Sequence, residues 1–366
     1  IPLRLVGSEM CIRDSLRRAF LELSGYVYKD WAYTLSYDLS HNSGSQEDGY
    51  FDEASIAYNG FAPISIKVGR FDPEFGLEKA TSSKWVTATE RNAAYELVDW
   101  ANAHQNGLGV QVSGTAADSL YGSVGVSAKD QNDADGESTK QFNLRGVFAP
   151  MHEAGNVLHV GFNYAYRDLS DTAFDGRIRS RMGMRGVSTS GGNDAGTNGN
   201  RLVLGGANNL VAGSYGDDAA MGLEAAFAAG PFSIQGEYIK RKLEADDAAF
   251  QDIKATGYYG QVAYTLTGES RGYKLGKFDS IKPENKQVGA WELFYRYDNL
   301  SVDDDNGAFA NVGDVEAKVH NLGVNWYVND VVKVSGMYVK AKADNATNAN
   351  GDDDGDGMVF RAQYAF

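Results

Sequence analysis

The chain has 366 residues and a net charge of -15, with 43 glycines, 21 tyrosines and only 6 prolines. The acidic balance argues against nucleic acid as a partner, and no stretch approaches the ~20 apolar residues of a membrane helix, so a helical membrane protein is excluded. A soluble chain of this length would split into two or more domains, whereas a transmembrane β-barrel of about sixteen strands uses it whole.

Residues 1–15 (IPLRLVGSEMCIRDS) show no period of two and do not read as a signal peptide. They look like translated sequencing-adapter sequence and are set aside as a non-native segment. The single cysteine, Cys11, lies within it. From residue 16 onward the dominant signal is alternation in segments of about ten residues. Tyr33, Leu35, Tyr37 and Leu39 share one face, with Thr34, Ser36 and Asp38 on the other. Leu158, Val160, Phe162, Tyr164 and Tyr166 oppose His159, Asn163 and Arg167. Trp291, Leu293, Tyr295 and Tyr297 oppose Glu292 and Arg296, and 318–328 and 331–340 repeat the scheme. Aromatics recur near strand ends, as in the girdles of membrane barrels.

Short turns are expected at 28–31, 59–62, 115–118, 151–156, 229–231 and 329–330. Long polar loops are expected at 41–49, 72–106, 129–139, 168–218, 243–255, 269–287, 301–314 and 342–356. Short periplasmic turns opposite long external loops is the barrel pattern. About fifteen strands are visible; an even number is usual, so a first strand is expected to be missing, giving sixteen. The chain closes with Met358, Phe360, Ala362, Tyr364 and Phe366 on one face. A last strand ending in an aromatic resembles the signal read by the barrel-assembly machinery.

Enzyme chemistry finds no support. The histidines (His41, His104, His152, His159, His320) lack metal-ligand spacing, and there is no phosphate loop and no nucleophile elbow. Asp352, Asp354, Asp356 and Gly357 imitate the start of a calcium loop, but Gln363 stands at its twelfth position, so an acidic external loop is the better reading. Neither a metal nor a cofactor is called for. The informative cluster is basic. Arg177, Arg179, Arg181 and Arg185 fall on odd positions; an extended chain would project them from one face ~6.6 Å apart. Anions could pass along such a row, since the guanidinium fork matches phosphate oxygens. A solvated basic loop fits the same spacing. The segment 72–106 collects Lys79, Thr81, Ser82, Ser83 and Lys84, whose hydroxyls and ammonium groups could replace part of an anion's hydration shell; an ordinary polar loop fits equally. Arg18 shares parity with Phe20, Glu22 and Ser24, which reads as lumen. Arg17 shares parity with Ala19, Leu21 and Leu23, which reads as lipid. Asp52 has the same difficulty, its parity being that of Ala54 and Ile56.

The stretches RRAFLELSGYVYKDW, YNGFAPISIKVGRF, PEFGLEKATSSKW with TER after it, PMHEAGNVLHVG, GAWELFYRYDNL, LGVNWYVND and FRAQYAF resemble, in order and over nearly the whole of 17–366, the phosphate-selective porins O and P of Gram-negative outer membranes. The resemblance implies a sixteen-stranded trimeric barrel in the outer membrane, surrounded by lipid and lipopolysaccharide, conducting anions through a narrow zone reached by an arginine ladder. Carried over, Arg177, Arg179, Arg181 and Arg185 look like the ladder and Arg201 like a further member. Arg17 and Arg18 look like central arginines, Lys79, Ser82 and Ser83 like binding groups of the inward loop, and Asp52 like the acid bracing them. Phe20 and Asp72 stand where phosphate-preferring members carry Tyr, and are similar to the pyrophosphate- and polyphosphate-preferring branch. The expected substrate is therefore phosphate or a polyphosphate. A general, weakly anion-selective porin and a surface-binding barrel without transport are the alternatives.

Overall fold

The computed structural model describes residues 4–5, 8–9, 18–40, 50–102, 106–132, 138–184, 201–307, 310, 313–348 and 351–365. Fifteen strands form one antiparallel sheet in which each pairs with its neighbours in sequence. They are β1 (Phe20–Val27), β2 (Trp31–Asp38), β3 (Tyr50–Phe61), β4 (Ile64–Arg70), β5 (Asn106–Ala116), β6 (Leu120–Asn132), β7 (Ser138–Glu153), β8 (Asn156–Asp168), β9 (Tyr215–Ala229), β10 (Phe232–Ala245), β11 (Ile253–Thr265), β12 (Ala290–Asp304), β13 (Val315–Tyr327), β14 (Val332–Asn348) and β15 (Gly351–Tyr364). Arg4–Leu5 and Ser8–Glu9 pair only with each other, apart from this sheet.

Alternation in the sequence becomes a two-faced wall. On β8, Leu158, Val160 and Phe162 are 41%, 47% and 42% exposed, while His159 and Asn163 between them are 0% and 1% exposed. On β12, Trp291, Leu293 and Tyr295 face out and Glu292, Phe294 and Arg296 are buried. An apolar outside and a polar inside invert the soluble sandwich and match a barrel held in lipid. Rings cluster at both rims: Trp31 with Tyr58 (4.8 Å) and Trp291 stacked on Trp326 (5.3 Å) at the turn end, Tyr258 with Tyr297 (6.2 Å) nearer the loops.

Two expectations about connections need correction. The segment 269–287 was expected among the external loops. An antiparallel meander sends every second connection to the same end, and the link between β11 and β12 emerges at the end of the short turns. It carries a ribbon, Arg271–Lys274 paired with Lys277–Ile281, that turns into the interior. There Tyr273 and Phe278 pack with Leu77, Val147, Val157 and Ala228. The second concerns 342–356. Pairing continues through most of it, with Lys340 opposite Asp356 and Lys342 opposite Asp354. Opposite charges across the ladder extend the hairpin where composition alone suggested loop.

The connection after β4 also enters the barrel. Its residues Phe75, Ala88, Ala93, Ala94, Leu97 and Val98 are buried against wall side chains that include Ala220, Ile239, Ala255, Phe294 and Met337. Gly257 allows the approach: a Cβ there would lie 2.8 Å from Ala94 and 2.9 Å from Leu97. Wall side chains then clip the main chain. Asn325 donates to the Thr87 carbonyl (2.8 Å), Lys333 to Val86 (2.8 Å), Arg241 to Leu97 (3.1 Å) and Arg361 to Thr89 (3.0 Å). Each contributes roughly 1 kcal/mol net, more where the donor is charged.

Candidate functional site

The inward segment 71–102 presents Lys79 beside Asp72, with which it forms an ion pair. Burial works against the Lys79 charge, but Asp72 and the Tyr95 phenol outweigh it, so its pKa is raised above the usual 10.5. Arg91 lies over the Tyr95 ring (5.4 Å) and donates to the Thr81 carbonyl (3.2 Å). Asp52 feels the charges of Asp72, Lys79, Arg18 and Asp38. Four of the positions singled out from the sequence, Arg18, Asp52, Asp72 and Lys79, therefore lie within electrostatic reach of one another. Ser82 and Ser83 flank Lys79 on the same segment, and among the described residues neither hydroxyl has a protein partner. Arg17 and Arg185 lie outside the described residues, as does Phe366.

Register explains two of these placements. Phe20 sits opposite Asp38 and Glu22 opposite Ser36, both buried, so the parity of Arg18 is indeed lumenal. Ser36 pairs with Glu53 but Tyr37 pairs with Phe51, leaving Asp52 as the extra residue of a bulge. A bulge re-aims side chains. It allows Phe51 to meet Tyr37 on the lipid face (rings 5.1 Å apart) while Asp52 joins the interior charges. Strict parity could not show this.

Residues 169–184 and 201–210 fold inward as well, pairing through Ile178–Ser180 and Leu202–Gly205. Ile178, Leu202 and Leu204 are buried in the same apolar cluster as Leu97 and Val98, which seats this ribbon on the inward segment. Arg177, Arg179 and Arg181 alternate with buried Ile178 and Ser180; the side chains of Arg177 and Arg179 stay 29% exposed and that of Arg181 14%. Each has an acid beside it: Asp175 contacts Arg177 at 2.7 Å and Arg179 at 3.0 Å, and Glu96 contacts Arg181 at 3.3 Å. Arg201 pairs with Asp99 at 2.9 Å. Burial lowers the Arg201 pKa and Asp99 and Glu96 more than restore it. These acids hold four like charges together on one ribbon. On Arg177, Arg179 and Arg201 they leave donors over, since each guanidinium carries five N–H groups.

A second set of arginines lies buried on the wall and the other inward ribbon; of these only Arg296 was read from the sequence, as a polar-face residue without a role. Arg296 is fully buried, meeting Asp298 (3.1 Å) and Glu78 (3.3 Å) and donating to the carbonyls of Glu90 (2.9 Å) and Arg91 (3.3 Å). Arg145 meets Glu224 (2.8 Å), Glu74 (3.1 Å) and the Gly276 carbonyl (2.6 Å). His159 bridges Glu224 and the Tyr273 hydroxyl. Arg271 joins Glu292 and donates to the Trp85 carbonyl (3.1 Å). These groups tie the two inward segments to the wall. Arg91 belongs to the central cluster although sequence reading assigned it nothing; its place in TER, twelve residues after Lys79, was the only signal.

A wall apolar outside and charged inside, with segments folded into it from both ends, defines a porin, a transmembrane channel rather than an enzyme. Residues 4–366 match the family described as Phosphate-selective porin O and P, and the chain belongs to that family. Its place is therefore the bacterial outer membrane. Porin O of Pseudomonas aeruginosa is 69% identical over 356 residues, covering 96% of this chain and 81% of that protein. Among solved structures, an anion-selective porin from Comamonas acidovorans superposes with a TM-score of 0.55 at 12% identity, covering 94% of this chain and 86% of that one. The trimer form of OmpT from Vibrio cholerae gives 0.54 at 14% identity, covering 95% and 90%. At such identities these two establish the shared fold alone.

Proposed function

We propose that this porin passes phosphate-class anions passively along Arg177, Arg179, Arg181 and Arg185, with Arg201 beside them, to a narrow zone at Arg17, Arg18, Lys79, Ser82 and Ser83. The observation that carries this reading is the seating of partly exposed arginines on the same inward segment that bears Lys79. Several weak sites in series let an ion enter and leave. Asp52 braces the cations of the zone. Phe20 and Asp72 tune its preference toward pyrophosphate or polyphosphate: Asp72 already occupies Lys79, so an anion with more charge competes better for it. Membership of the family and the name of the 69%-identical relative support phosphate as the substrate class, and a trimeric neighbour in fold supports a homotrimer. Outer-membrane lipid and lipopolysaccharide surround the barrel, and the aromatic residues that close the chain address the assembly machinery.

The test is a planar-bilayer recording of chloride current titrated with phosphate and pyrophosphate. Arg18→Gln with Lys79→Gln is expected to weaken the block by both anions. Undiminished block in that variant rejects the assignment of the narrow zone.

A further inference from the structure

On the outside of the barrel, the strands nearest the chain's end repeat one order of side chains toward the loop end. On β10 the outward series is Tyr238, Lys240, Lys242, Glu244; on β14 it is Tyr338, Lys340, Lys342, Asp344. β13 and β11 place Lys318 and Lys254 level with Lys342 and Lys242, with Glu316 and Asp252 beyond them toward the loops. Alternate strand residues are ~6.6 Å apart, so aromatic, cationic and acidic layers are stacked in that order along the outer rim. These lysines do not belong to the channel, because Ile239, Leu243 and Val339, their neighbours in sequence, are the buried inward residues.

The register sets the cations against one another. Lys242 lies directly opposite Lys254, and Lys318 opposite Lys342. Like charges facing across a ladder destabilise it. The acids above relieve only part of this: Lys242 pairs with Asp252 (2.9 Å) and Glu244 (3.1 Å), Lys318 with Glu316 (2.7 Å), and Lys342 with Asp344. Lys240 and Lys254 form no ion pair among the described residues, and Lys340 forms none within 4 Å although it faces Asp356 across the β14–β15 ladder. They stand just above the tyrosines, at the depth where a membrane carries its headgroups.

We infer that this lysine layer binds phosphorylated headgroups of outer-leaflet lipid, with one subsite on β10 and β11 and another on β13 and β14. Compact ammonium groups with three donors each suit phosphate oxygens, and an anion between Lys242 and Lys254 removes their repulsion. The inference rests on the outward face lying in lipid, not on which anion the channel passes.

The test uses the purified full-length barrel in neutral detergent, with phosphorylated lipid A, dephosphorylated lipid A and inorganic phosphate as probes and bound lipid read by native mass spectrometry. Lys240→Gln with Lys254→Gln and Lys340→Gln should retain roughly tenfold to a hundredfold less phosphorylated lipid A. The three Lys→Arg changes should retain it as the parent does. Should the glutamine protein not assemble, Lys254→Gln alone should show a smaller loss of the same sign. Equal retention by parent and glutamine variants overturns the inference, as does equal binding of the dephosphorylated lipid. Displacement by millimolar inorganic phosphate would assign the site to free phosphate and overturn the lipid assignment. Phosphate block of chloride current should be unchanged in the glutamine variant. A parent channel that shows no block at all would fault the transport reading and leave this one standing.

Discussion

The buried arginines of the wall and the partly exposed arginines of the inward ribbon share one chemistry and differ in what surrounds them. Arg145 and Arg296 are buried and each gives four hydrogen bonds to carboxylates and main-chain carbonyls. Arg177 and Arg179 share Asp175, and Arg201 is steadied by Asp99. Partner count, rather than charge, therefore separates a group that holds the channel in shape from one able to bind transiently. A buried charge deprived of its partner costs several kcal/mol, while an exposed pair contributes ~1 kcal/mol or less.

The sharpest break of this comparison is Arg296→Ala. It leaves Glu78 and Asp298 buried without their cation and frees the carbonyls of Glu90 and Arg91. A loss of about 3–5 kcal/mol is expected, read as a lower temperature for loss of the folded band on unboiled gels. Chloride current should also become noisier as the inward segment loosens. Arg296→Lys should not rescue it, because an ammonium cannot span this fork of acceptors. Wild-type stability in either variant would remove the distinction between the two sets.

Neutralising Arg177 and Arg179 together to Gln should do the reverse. Stability should change by ~1 kcal/mol or less, while phosphate block weakens about tenfold through lost charge-assisted hydrogen bonds. A barrel destabilised as far as Arg296→Ala would show that the ribbon arginines are structural too.

The smallest effect is on pH dependence. Burial pushes the Glu74 carboxyl up, but Arg145, Lys277 and the Tyr121 hydroxyl outweigh it, so its pKa lies below the ordinary 4.5. A depressed carboxyl contributes stability above its unfolded pKa and loses it as pH falls through the folded one. The Glu74 contribution should thus be constant from neutral pH down to about 5 and be lost only below, with Glu74→Gln flattening that acid limb. Lys79 behaves oppositely. Its raised pKa keeps the charge, and the stability gained from Asp72, until pH climbs past 10.5. Anion selectivity from reversal potentials should therefore hold through pH 10; a decline near pH 8 would show that Lys79 is not the group responsible.

Much of this molecule could be read from local pattern. The inward parity of His159, Asn163, Arg167, Glu292 and Arg296 follows from a period of two, which burial in lipid on one side enforces. The register of Phe20 opposite buried Asp38 was legible by the same rule. Asp52 was not, since one inserted residue in β3 reverses parity and no local signal marks it. The end of the barrel from which 266–289 emerges also escaped, because length alone does not say which rim a connection occupies. The arginine clamps were beyond reach for a different reason. Arg296 finds Glu78 across 218 positions of chain, and Arg145 finds Gly276 across 131.

By itself, then, the order of residues determined that a barrel forms, which side chains meet lipid, and which stretch carries the row of arginines, because each depends on neighbours two to ten positions apart. Only the tertiary structure decided which cations are buried among acceptors and which are left with donors to spare, because that depends on how far inward segments from opposite rims pack against the wall and against each other.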